Sequence, residues 1–292
     1  MVSEFEAQVR ATNDKINART GRPLAMALIV GLALGLALLF SLIFVKELYM
    51  LFAGVLVAFT AFELASALRF SGLKIPRVGA VVAAVAVVPA SFYWHAEGQW
   101  YVTLAGIAFV WVWRLLEAVI MPSHRGTFRS IMRDLGAGVF VMLYVAFLAS
   151  FTVILTSEDG GQWWTLAMLI VVVVSDIGAY ASGLSFGKHP MAPTISPNKT
   201  WEGFAGAALA AVAAGVLLAL FMINQPWWVG LIFGLVILGT ATMGDLAESL
   251  IKRDLGIKDI STWLPGHGGF LDRVDSSLLS AAAGYALFLI FA

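Results

Sequence analysis

The feature that most constrains this chain is a succession of long apolar runs. About nine stretches of mostly apolar residues follow one another, at 24–45, 48–68, 78–95, 100–121, 135–156, 162–183, 202–222, 227–249 and 275–292. Each is near the roughly 20 residues that an α-helix needs to cross a bilayer's hydrocarbon. The chain is 60% apolar and 12% charged, whereas a soluble domain is about half apolar and a quarter charged. An all-α polytopic membrane protein is therefore expected. Residues 1–23 are polar with mixed charge and read as a cytoplasmic tail, not a cleavable signal, because the run that follows is long enough to span. Residues 24–292 then form a single membrane domain, with no internal repeat.

The basic residues orient these spans. All but two of the 18 lysines and arginines fall in the tail or in loops on one side; the exceptions are Lys46 and Arg114. By the positive-inside rule that side is cytoplasmic. The N-terminus is then inside, the C-terminus outside, and an odd span count such as nine is required. A bacterial cytoplasmic (inner) membrane is the expected location. The opposite loops carry Trp94, Trp100, Trp163, Trp164, Trp227 and Trp228, as an interfacial belt would. Within the spans, Arg114 and Glu117 stand three residues apart and read as an intrahelical pair. Glu63 reads as structural support.

Composition also excludes. The formal net charge is zero, so no global field attracts nucleic acid. With no cysteine there is no disulfide, thiolate metal site or cysteine nucleophile. The four histidines are scattered. Any metal would be a hard cation on carboxylates.

Polar chemistry is concentrated in two cytoplasmic-face regions, 173–204 and 244–277. Asp176 follows the unbroken run LIVVVV, where a carboxylate is costly and marks either a site or a buried partner. In SPNKTWEGF, Ser196-Pro197 reads as a turn. Thr200 can cap the next helix, and Glu202 lies in its first turn. Capping leaves Lys199 unexplained, and a lysine beside exposed helix amides suits a phosphate. Further on, Asp245, Glu248, Ser249 and Lys252 stand at i, i+3, i+4 and i+7, on one helix face. Asp272, Asp275 and Ser276 repeat i, i+3, i+4 at the start of the last span. Carboxylates converging from two helix ends can hold a divalent cation. The loop between them supplies Lys252, Arg253, Lys258 and Arg273. Its turn PGHGG contains His267, Gly268 and Gly269, whose glycines let the backbone approach a ligand. Metal-bridging acids beside phosphate-binding cations suit a metal-bound polyanion such as a nucleoside triphosphate. A lipid co-substrate would explain the membrane position.

From Ser249 to Asp275 the chain reads S-x-x-K-R-x4-K-D-x-S-x-x-L-P-x-H-G-G-x-x-D-R-x-D. This resembles the signature of the phosphatidate cytidylyltransferases, also called CDP-diacylglycerol synthases. SPNKTWEG is similar to that family's S-P-K-K-T-W-E-G segment and SDIGAY to its D-T-x-A-Y segment, with Asn198 in place of lysine and Ile177 in place of threonine. The motifs cover roughly residues 170–292. The resemblance implies CTP and phosphatidic acid as substrates, CDP-diacylglycerol and pyrophosphate as products, and Mg²⁺ with a nearby K⁺. It implies a homodimer as well. It makes Asp245, Asp272 and Asp275 metal ligands, and Lys252 and Arg273 their catalytic companions. Substrate contacts would come from Asp176, Ser196, Lys199, Thr200, Ser249, Arg253, Lys258, His267, Gly268 and Gly269. Two alternatives stay open at this point: the same CTP chemistry on an ether isoprenoid or polyprenol lipid, and an ion-coupled transporter using Glu63, Asp176 and Asp245.

Overall fold

The computed structural model describes residues 24–261, 263 and 268–292, with side chains from residue 31. Its helices are α1 (Leu24–Phe44), α2 (Lys46–Phe70), α3 (Arg77–Ile120), α4 (Phe128–Ser157), α5 (Gly161–Phe186), α6 (Trp201–Phe221), α7 (Trp227–Asp254) and α8 (Leu271–Phe291). Between α5 and α6 lie two short strands, β1 (Pro190–Ala192) and β2 (Ser196–Thr200). Among the described residues, seven helices, α2 to α8, are long and apolar enough to cross a membrane. The chain is an all-α polytopic membrane protein with one small β-hairpin.

α3 has 44 residues, which straight would reach about 66 Å, twice the hydrocarbon thickness. It is bent back instead. His95 adopts φ 50° and ψ −137°, outside the helical region. Beyond it the two arms run alongside each other: a Cβ built on Gly106 would lie 3.3 Å from that of Ala83, and one on Gly79 would lie 3.2 Å from the Trp113 ring. The expected spans 78–95 and 100–121 are thus the arms of one helical hairpin, turned at a single residue rather than by a loop.

α4 contains a π-helical stretch, Met142–Phe147. Such a stretch disturbs the regular ladder. Gln99 on α3 supports it, donating to the Phe147 carbonyl at 3.1 Å and to Ser150 Oγ at 2.8 Å. One buried cluster gathers residues of α2, α3 and α4, among them Leu64, Val87 and Val141. A second gathers α5, α6, α7 and α8 around Met168, Ala211, Phe233 and Ala281.

Three local expectations are corrected. Arg114 does not pair with Glu117. It is buried and donates from Nε and Nη2 to Asp134 Oδ2, at 2.9 and 2.7 Å. The other Asp134 oxygen accepts the Lys74 N–H. Glu117 accepts from Trp113 Nε1 instead. A buried guanidinium needs a desolvated carboxylate with good geometry, and one on a facing helix end supplies it better than a neighbour on the same helix surface. Second, Ser196-Pro197 is not the turn. β2 begins there, with Ala192 opposite Ser196 and Pro190 opposite Thr200, and the turn lies at 193–195. Pro197 is tolerated because a two-stranded ribbon leaves edge positions without ladder bonds. Third, Trp164 is not at a surface belt. It is buried between the rings of Phe233 and Phe288, whereas Trp94, Trp100 and Trp227 are exposed.

Candidate active site

The last turns of α7 and the first turns of α8 form the centre of the site. Their backbones touch at Gly244: a Cβ there would collide with the Asp275 carbonyl oxygen and lie 3.0 Å from Ser276 Cα. Only glycine permits that approach, and it brings the face carrying Asp245, Glu248, Ser249 and Lys252 against the face carrying Asp272 and Asp275. The i, i+3, i+4, i+7 reading of α7 holds in detail. Lys252 Nζ lies 2.6 Å from Glu248 Oε2 on its own helix and 3.0 Å from Asp272 Oδ1 on α8. Ser249 Oγ donates to Asp245 Oδ1 at 3.4 Å. The second Asp272 oxygen accepts the Gly269 N–H at 2.8 Å, satisfying a donor at the start of α8. Gly268 has φ +82°, and a Cβ on it would sit 2.8 Å from Asp272 Oδ2. Both facts require glycine there.

The β-hairpin delivers Lys199. Its Nζ is 2.5 Å from Asp245 Oδ2. The hairpin is fixed on both sides. Thr200 Oγ1 accepts the Gly203 N–H, the expected cap of α6. Glu202 accepts the N–H groups of Lys188 and His189 and contacts the His189 ring. Arg253 Nε donates to the Ile195 carbonyl, tying the hairpin turn to α7.

Three cavities adjoin. A polar one of about 250 Å³ is lined by Asp176, Asp245, Glu248, Lys252, Asp259, Gly268, Asp272, Arg273, Asp275 and Ser276. A second, of about 310 Å³, shares Asp176 and Asp245 and adds Lys199, Thr200, Asn198, Tyr180, Phe204 and Thr242. A third, of about 390 Å³, is largely apolar, between α1, α2, α4, α5 and α8; Leu38, Phe52 and Leu56 line it, and Arg273 is common to it and the polar cavity. Anionic, mixed and apolar spaces thus meet at one end of the bundle.

The polar cavity suits a hard cation. Its lining sets six carboxylates against two cations, all donors are oxygens, and the buried Glu248 Oε1 has no hydrogen-bond partner. Like charges so close repel unless a cation or proton intervenes. Two ammonium groups meet part of that need, Lys199 at Asp245 and Lys252 at Glu248 and Asp272. In this arrangement no three acidic or imidazole groups among the described residues converge at ligating distance.

The fold therefore brings together Asp176, Asp245, Lys252, Gly268, Asp272, Arg273 and Asp275, with Lys199, Ser249 and Gly269 in contact with them and Thr200 lining the adjoining cavity. Ser196, Arg253 and Lys258 line none of the three cavities; Ser196 pairs in β2, Arg253 holds the hairpin turn, and Lys258 is exposed. His267 lies outside the described residues. Tyr180 and Thr242 were not expected from the sequence, yet they stand one helical turn from Asp176 and Asp245. The same spacing argument would have found them.

A family model for the cytidylyltransferase family matches residues 25–291. The chain belongs to the cytidylyltransferase family. Members similar to it include the phosphatidate cytidylyltransferase of Mycobacterium bovis, 37% identical over 276 residues that cover 92% of this chain and 89% of the relative. The Mycobacterium leprae protein of the same name is 34% identical over 94% of this chain and 90% of its own length. That of Brucella suis is 35% identical over 74% of this chain and 86% of its own length. The family match covers the N-terminal helices as well, which carry none of the signature residues.

Proposed function

We propose that the chain transfers a cytidylyl group from CTP to phosphatidic acid in the membrane, releasing pyrophosphate and leaving CDP-diacylglycerol. The observation that carries this reading is the junction at Arg273, where an apolar cavity meets an acid-and-base cavity, in a chain of this family. A lipid phosphate entering from the apolar side would meet Arg273 first, with its acyl part among Leu38, Phe52 and Leu56. The triphosphate would lie along the shared wall of the two other cavities, near Lys199 and Lys252.

In the transfer, a phosphate oxygen of phosphatidic acid attacks the α-phosphorus of CTP, a new P–O bond forms, and the bond to the β-phosphate oxygen breaks. The nucleophile is already anionic, so no general base is needed. Phosphoryl transfer depends chiefly on positioning and charge neutralisation. Lys199, Lys252 and Arg273 supply positive charge and fix orientation. Asp245, Asp272 and Asp275 would hold Mg²⁺, with K⁺ as a second cation in the same acidic cavity. Bound there, the metal would neutralise charge on the triphosphate. Lys199 and Lys252 would then turn from the carboxylates to the phosphates. Ser249, through Asp245, and Gly269, through Asp272, orient the two ligands.

The same reading places the site on the cytoplasmic face of a bacterial inner membrane. It has nine crossings, with α1 and both arms of α3 each counted as one, and the basic loops support it. The homodimer rests on the resemblance. The decisive experiment is pyrophosphate release by purified protein in detergent with Mg²⁺ and K⁺. Release that requires both CTP and phosphatidic acid is expected. Release that requires CTP but another lipid acceptor would overturn the choice of lipid, and no release with any nucleotide would overturn the reaction.

A further inference from the structure

Glu63 lies on α2, nearly 200 residues before the signature, and is 2% exposed. Its carboxylate nonetheless accepts from three groups of the signature segment. Oε1 takes the Phe270 N–H at 3.0 Å and the Ser261 hydroxyl, and Oε2 takes the Leu271 N–H at 2.9 Å. A Cβ on Gly269 would come within 2.9 Å of Oε2. One turn earlier on the same α2 face, Phe59 stacks on Phe270 with ring centroids 4.6 Å apart, and Trp263 packs edge-on against Phe59 and tilted against Phe62. A carboxylate within a membrane helix is costly, and the orphan amides opening α8 are what offset that cost here.

We infer that Glu63 is a positioning residue for the transfer, acting through the backbone of 269–271 to set Asp272 and Asp275 opposite Asp245. The inference rests on the proposed reaction. Asp272 already accepts the Gly269 amide with one oxygen and meets Lys252 with the other. With Glu63 in place, the amides of Phe270 and Leu271 are satisfied without it. Without Glu63, Asp272 is the neighbouring carboxylate able to cap them, and it turns from the cavity to do so.

The test is Glu63→Gln and Glu63→Asp beside the wild type, read by kcat, KM for CTP, the Mg²⁺ concentration for half-maximal rate, and amide hydrogen exchange over 268–275. Glu63→Gln keeps the shape but turns an amide towards the donors. The expected result is a kcat lower by about 10- to 100-fold, as outer partners of metal ligands typically give. The Mg²⁺ requirement rises, exchange over 268–275 is faster, KM for CTP is little changed, and Glu63→Asp recovers part of the loss. Wild-type kcat and Mg²⁺ requirement in folded Glu63→Gln would overturn the inference alone. If Glu63→Gln does not fold, Phe59→Leu takes its place, with the same shifts expected at smaller size and unshifted values overturning it. A wild type that releases no pyrophosphate would overturn the reaction, and this role with it.

Discussion

Lys252 joins α7 to α8 through its contacts with two acids, so its removal separates folding from catalysis. Lys252→Met keeps length and apolar stem but loses the ammonium. In the folded protein that group sits 2.6 Å from Glu248 Oε2 and 3.0 Å from Asp272 Oδ1, and the Glu248 side chain is only 2% exposed. At an effective dielectric of about 20, each contact is worth about 6 kcal/mol of attraction. Desolvation of the charges offsets most of this, and the net loss on deleting one partner of a buried pair is about 3–5 kcal/mol. The loss falls largely on Glu248, because its second oxygen already has no partner, whereas Asp272 keeps the Gly269 amide. Lys252→Met should therefore be destabilised by roughly that amount in denaturant titrations in detergent. Adding Glu248→Gln should restore most of the stability, since it removes the stranded charge, and should not restore pyrophosphate release. A single variant as stable as wild type, or a double variant no more stable than the single, would refute the argument that the bridge compensates a buried acid.

Other outcomes follow from the same geometry. Asp272→Asn should insert and fold yet lose turnover beyond the roughly 100-fold typical of outer partners, and near wild-type pyrophosphate release would remove it from the proposed metal ligands. Lys199→Ala should raise KM for CTP by about 10- to 100-fold, the equivalent of one charge-assisted hydrogen bond of about 1.5–3 kcal/mol; unchanged kinetics would take Lys199 out of the site. Gly244→Val should force α7 and α8 apart, costing about 1–3 kcal/mol and lowering kcat, because the added carbons would meet the backbone at Asp275 and Ser276; an equally stable, equally active variant would show that the helices do not need that contact.

What the sequence made legible, and what it did not, divides by range. The face of Asp245, Glu248, Ser249 and Lys252 was readable because helical spacing is a local rule, and the Lys252–Glu248 pair is its direct consequence. The Thr200 cap was readable for the same reason. Arg114 was misassigned by that very rule. A partner three residues away satisfied the spacing, but burial selected Asp134, 20 residues on, whose desolvated Oδ2 accepts from both Nε and Nη2. The reversal after residue 95 was readable, because the polar stretch HAEGQ interrupts the apolar run, but its being made at the single residue His95 was not. Two helix arms packed face to face need a reversal somewhere between them, and the packing of Gly106 on Ala83 depends on tertiary fit.

Glu63 shows why the distinction matters for function. From the sequence it is one acid in an apolar run, and structural support is the sensible reading of it. Besides the Ser261 hydroxyl, its partners are backbone amides, which every residue but proline has and no motif encodes. The signature names the groups that face the cavity, Lys252, Asp272 and Asp275 among them. It does not name what holds the backbone beneath them, because a cap can come from any element that reaches the helix end. In this chain it comes from α2, so the N-terminal helices, silent in motif terms, bear directly on the placement of the acids.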